Sequence, residues 1–189
     1  ANGVGIRQLQ LSLNYFGSRG FQRIARALAG RDFPLEYLEI RSSGPEPSLA
    51  DIAAAFLNNP DSIPNTLELF GFHICEAAGN ALGNALVRRM TPLKSLGLNV
   101  LEHLEVDVAE YYHAGVVALL QILGNNPSKT PKTLILPRHF GRFFNDAVEH
   151  IEAMLRDQTC SLGTLDMSDS GLNAETRSDF QCCLTTICC

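Results

Sequence analysis

The chain has 189 residues, 46% of them hydrophobic, and a formal net charge of −5. That composition excludes the intrinsically disordered class and supplies enough apolar material for one sizeable core or one stretch of a repeat array. The acidic balance argues against a general nucleic-acid binder, which needs a basic face, and no apolar run nears the roughly 18–20 residues required to span a bilayer.

The opening residues Ala1, Asn2, Gly3, Val4 and Gly5 lack a Met and lack the charged-then-apolar pattern of a signal peptide, so a fragment of a longer protein is expected. Counted from Ile6, apolar residues stand at positions 1, 4 and 6 (Ile6, Leu9, Leu11), with Asn14 at 9, Gly20 at 15, Ile24 at 19 and Leu28 at 23. The first part reads as a short strand. Residues 21–28 have the apolar spacing of a helix, and Gly30 is its natural stop. A second unit opens at Leu35 with Leu38 and Ile40. Gly44 and Pro45 then force a loop, and Ser48 three residues before Asp51 is a capping-box pattern for a helix through Leu57. The third unit opens at Pro64 and the fourth at Leu93, so the four starts are each 29 residues apart. The rule then breaks. Residues 93–98 and 101–106 both have the strand pattern, only eight residues apart, and Leu101 opens a unit with Gly115, Leu119 and Leu123. Two adjacent parallel strands need a crossover of a dozen or more residues, so a segment near Asn99 is expected to be missing. Further units start near Pro131, with a helix through Val148, Ile151 and Leu155, and at Leu162.

A period of 20–29 residues with L-x-x-L-x-L marks a leucine-rich repeat. With the Gly at position 15 and apolar residues at 19 and 23, residues 6–28 and 101–123 resemble the ribonuclease-inhibitor-like subfamily of those repeats. The resemblance covers nearly the whole chain. It implies an α/β leucine-rich-repeat solenoid, or horseshoe, with a parallel concave sheet and convex helices, as a single domain over 1–189 of about seven degenerate repeats. Strands are expected near residues 9, 38, 67, 96, 104, 134 and 165, with helices after all but the fourth. The family favours Cys or Asn at position 9. Only Asn14 obeys here, while Ser43, Phe72, Ala109, His139 and Ser170 depart. Each unit has apolar faces that it cannot bury alone, so neighbours stack into one core.

No catalytic motif stands out. His73, His103, His113, His139 and His150 are scattered, with no H-E-x-x-H, no G-x-S-x-G and no phosphate-binding Gly loop. Four of the six cysteines (Cys182, Cys183, Cys188, Cys189) crowd the end, without zinc spacing; Cys75 and Cys160 stand alone. Free thiols in a reducing, intracellular and cytoplasmic setting are the simplest reading. No enzyme, cofactor or metal is expected.

The resemblance implies protein–protein interaction: a scaffold or complex subunit, with a small-GTPase activator acting through Arg19 or Arg41 as the alternative. Side chains alternate along a strand, so positions 3, 5 and 7 of each unit face the concave surface. Position 5 reads Gln10, Glu39, Glu68, Gly97, Glu105, Ile135 and Asp166. Asp107, Tyr37 and Phe70 are adjacent. The expected partner-binding residues are therefore Tyr37, Glu39, Glu68, Phe70, Glu105, Asp107 and Asp166. Carboxylates on neighbouring strands repel, which calls for compensation by Arg41, Lys94, Lys132 and Arg138 or for a partner with a basic surface.

Overall fold

A computed structural model describes residues 6–13, 18–30, 35–42, 49–99, 109–137 and 144–168. Leucines alternating with polar residues give six short strands: β1 (Gln8–Leu13), β2 (Tyr37–Ser42), β3 (Thr66–Phe70), β4 (Ser95–Asn99), β5 (Thr133–Ile135) and β6 (Thr164–Asp166). They form one sheet in chain order, and every neighbouring pair is parallel. Parallel neighbours need long crossovers. These contain α1 (Ser18–Ala29), α2 (Ala50–Asn58), α3 (Glu76–Arg88), α4 (Ala109–Gly124) and α5 (Phe144–Arg156). Each helix packs on the next in chain order.

The lateral register follows the 29-residue spacing through β4: Gln8 pairs with Tyr37, Tyr37 with Thr66 and Thr66 with Ser95. One leucine row runs Leu9, Leu38, Leu67, Leu96, Leu134 and Leu165 across all six strands. Its four central members are 0% exposed, as are Ile52, Phe56, Leu82, Leu119, Leu123 and Ile151 from the helices. Each such side chain contributes roughly 1.5–3 kcal/mol by leaving water. In the other set, the side chains whose burial is described remain at least partly exposed, with Gly97 carrying none, so one sheet face is buried under helices and the other is open to solvent.

Two expectations need correction at the fourth unit. β4 bonds directly to β5, with Ser95 opposite Thr133, so the sheet has no strand between them. Residues 101–106, expected as a fifth strand, lie outside the described residues. The helix assigned to that strand is instead the crossover of β4: α4 carries Gly115, Leu119 and Leu123. A helix thus follows each of the first five strands, the fourth included; the chain just beyond Asn99, where a missing segment is expected, lies outside the described residues. The physical reason is that a strand pattern of three apolar residues recurs easily by chance, so the pattern by itself does not say which copy pairs; residues 95–99 are the ones bonded to both neighbouring strands.

The backbones of α3 and α4 approach closely where two glycines meet. A Cβ on Gly79 would collide with the Gly115 carbonyl, and one on Gly115 with the Ile74 carbonyl. The Gly115 amide donates to Ile74 O at 3.1 Å. Elsewhere the sequence Asn-Asn-Pro recurs at 58–60 and 125–127, each time opening a 3-10 turn, Pro60–Ser62 and Pro127–Lys129. Asn59 Nδ2 donates to the Ala29 carbonyl at 2.6 Å, satisfying an orphan acceptor at the end of α1. Ser62 and Thr130 hydroxyls close the two turns, donating to the Asn59 and Pro127 carbonyls at 2.7 Å each.

The expected capping box of Ser48 and Asp51 falls partly outside the described residues. The N-cap of α2 is Leu49, with no side-chain cap, and Ser48 lies outside the described residues. Gly30 does end α1, its amide donating to Arg26 O at 3.0 Å. Of the position-9 residues, Phe72 is buried in the core at 2% exposure. Asn14, Ser43, His139 and Ser170 lie outside the described residues.

Candidate binding face

Because β2, β3 and β4 pair in register, the residues expected to face outward form three lateral rows. Gln10, Glu39, Glu68, Gly97, Ile135 and Asp166 are opposite one another in turn across the six strands. Glu105 and Asp107 lie outside the described residues, as does Arg138. Tyr37 stands beside Thr66, and Arg41 beside Phe70.

Alternation on a single strand brings Tyr37, Glu39 and Arg41 together on the open face. The Tyr37 hydroxyl donates to Glu39 Oε2 at 2.6 Å. Arg41 Nε donates to Glu39 Oε1 at 2.5 Å. Gln10 Nε2 reaches Oε2 at 3.4 Å from the neighbouring strand. These donors, the Tyr37 hydroxyl first and Arg41 next, hold the Glu39 carboxyl below the usual carboxylate range. The same bond to a carboxylate raises the Tyr37 phenol. The Arg41 guanidinium also lies 4.3 Å from the centroid of the Phe70 ring, a cation–π contact worth about 0.5–1 kcal/mol at an exposed position.

Glu68 differs. It is half-buried, between Glu39 on one strand and Gly97 on the next. No side chain among the described residues hydrogen-bonds its carboxylate. Burial is the main cause that raises its carboxyl above the usual range, with repulsion from Glu39 second and attraction by Arg41 opposing both. Its side chain leans over Gly97: a Cβ there would stand 3.2 Å from Glu68 Oε2 and 3.3 Å from Cδ. Asp166 is satisfied locally, accepting from the Ser168 amide at 2.8 Å and hydroxyl at 2.5 Å, which lowers its carboxyl.

Compensation of the acidic row therefore comes from Arg41 alone among the four cations expected to supply it, within the described residues. Lys94 instead lines a polar groove of about 360 Å³ at the strand entrances, with Gln8, Glu36, Tyr37, Asn65 and Thr66. Arg7 NH1 holds Glu36 there at 3.0 Å. Sequence reasoning did not single out this groove. The signal was present, since Glu36, Asn65 and Lys94 recur at the same place in successive units, as do Gln8, Tyr37 and Thr66. Arg19, the other arginine considered for a GTPase, is exposed on α1 in the helical layer, while Arg41 is on the sheet.

Among the described residues, no three or more His, Cys, Asp or Glu side chains are grouped to hold a metal ion, and no helix is long and apolar enough to cross a membrane. Cys75 and Cys160 are half-buried free thiols. Comparison with protein-family models, with curated proteins and with solved structures finds no match.

Proposed function

We propose that this chain is a leucine-rich-repeat solenoid of ribonuclease-inhibitor-like type, acting without catalysis as a protein-binding scaffold or complex subunit in the cytoplasm. In this reading its open sheet face is the concave surface, and a partner with a basic surface docks there. The observation that carries it is the ordered patch on that face, where Tyr37, Arg41 and Phe70 flank Glu39 and Glu68. Aromatic and arginine side chains held rigid beside charged groups are the chemistry of interface anchors, and the cost of fixing them is met before a partner arrives. The leucine rows in 29-residue register support the repeat assignment.

The engagement of Arg41 with Glu39 weighs against Arg41 as the arginine of the GTPase-activator alternative, which requires a side chain free to reach a second molecule's phosphates, and leaves the exposed Arg19 as its candidate.

The test is affinity capture from extracts of the source cells with two purified double variants. Glu39→Lys with Glu68→Lys reverses the sheet face, and Glu149→Lys with Glu152→Lys reverses part of the helical face. Partners retained by the helix variant and lost by the sheet variant are expected, with circular dichroism unchanged in both. Partners lost only with the helix variant would move the site to the helices.

A further inference from the structure

The three carboxylates described on the open face are not equivalent. Glu39 accepts from Tyr37, Arg41 and Gln10. Asp166 accepts from Ser168 twice. Glu68 accepts from no side chain among the described residues, although it too is half-buried. Carboxylates that lose water normally gain a donor or a cation in exchange. Arg41 attracts Glu68 without hydrogen-bonding it: its Nε is held by Glu39 and its guanidinium lies on Phe70.

The surroundings give the position a shape. Gly97 has no side chain beside Glu68, and the next strand offers Ile135 in the same row. Along β3 the outward neighbours of Glu68 are Thr66 and Phe70. A carboxylate that no side chain among the described residues hydrogen-bonds is thus set in a low place on the sheet, with apolar surface on two sides. A long cationic side chain suits it, with an apolar stem against Phe70 and Ile135 and a charged head at the carboxylate.

We infer that the partner docked on this face inserts a lysine or arginine side chain that pairs with Glu68 above Gly97. This rests on the open sheet face being the binding surface, and it adds which group of the partner is read and by which residue. Glu39 serves a different purpose: it fixes Arg41 and Tyr37 at the edge of the same patch.

The probe is a fluorescein-labelled octalysine peptide, with its fully Nε-acetylated form as the uncharged control, titrated against the purified chain by fluorescence anisotropy at low salt. Binding of octalysine and not of the acetylated form is expected, with a loss of fivefold or more in affinity for Glu68→Gln and less than twofold for Glu149→Gln on α5. Gly97→Leu, which would fill the low place, should weaken binding to a similar degree, with thermal melts checking that each variant is folded. Zero-length carbodiimide cross-linking should join the probe to Glu68. If Glu149→Gln weakens binding as much as Glu68→Gln, the attraction is diffuse and the inference falls. If Phe70→Ala weakens binding and Glu68→Gln does not, the inference falls while the sheet-face reading stands. Binding insensitive to every sheet variant, or absent altogether, would overturn both.

Discussion

Glu39 and Glu68 are opposite each other on adjacent strands, yet their carboxyls move in opposite directions from the usual value. Donors from Tyr37 and Arg41 favour the charged form of Glu39, while burial disfavours that of Glu68. The consequences for stability have opposite signs. The contribution of Glu39 is complete above the ordinary carboxylate value and is lost as pH falls through its lowered folded value. Glu68 holds its proton longer in the folded state, so its contribution is present in acid and is lost as pH rises from the ordinary value through the raised one. Glu68→Gln should therefore raise the neutral-pH stability slightly, by up to about 0.5 kcal/mol given solvent screening of a half-exposed group. Melting curves from acid to neutral pH check this: the gain over wild type should grow as pH rises, and a lower Tm at neutral pH would contradict it. Ser42 is a second such position. Its hydroxyl is buried and has no hydrogen-bond partner among the described residues, so Ser42→Ala should be neutral or stabilising by up to about 1 kcal/mol. Urea unfolding measures that directly.

At the scale of elements, the tightest constraint is where α3 crosses α4. Gly79→Ala would drive a methyl group into the Gly115 carbonyl, and two packed backbones cannot both yield. A loss of about 1–3 kcal/mol or more is expected, readable as a lower urea midpoint; an unchanged midpoint would mean that the helices separate freely. Gly115→Ala should behave alike, through Ile74. The strand leucines make a graded series. Leu67→Ala empties a fully buried place in a central strand and should cost about 2–5 kcal/mol. Leu9→Ala, on the half-buried edge strand β1, should cost clearly less.

For the whole molecule, stacking in chain order means that each unit is supported by its neighbours in the row. Leu38, Leu67 and Leu96 are fully buried, whereas Leu9, Leu11, Leu165 and Met167 near the two ends of the sheet are only partly so. Native-state hydrogen exchange should therefore be slowest in β2, β3 and β4 and faster in β1 and β6. Equal protection across all six strands would argue for a single cooperative unit without weaker ends.

Much of this was legible in the sequence because it depends on local pattern. Strand alternation placed Leu38, Leu67, Leu96, Leu134 and Leu165 on one side and Tyr37, Glu39, Glu68 and Phe70 on the other, and the 29-residue period put Gln10, Glu39, Glu68 and Gly97 in one row. A fixed period with a fixed side-chain alternation leaves little freedom in a parallel sheet. The tertiary structure alone decided three things. Residues 93–98 and 101–106 carry the same apolar pattern, and pairing with β3 and β5 chose 95–99 for β4. Gly79 showed no local reason for its identity, because the atom that excludes a side chain belongs to another helix. Finally, the acidic row read as a uniform stripe from the sequence, while the fold gave Glu39 and Asp166 their donors and left Glu68 leaning over Gly97. Charge can be counted along a chain, but whether a carboxylate is satisfied depends on donors brought to it in three dimensions.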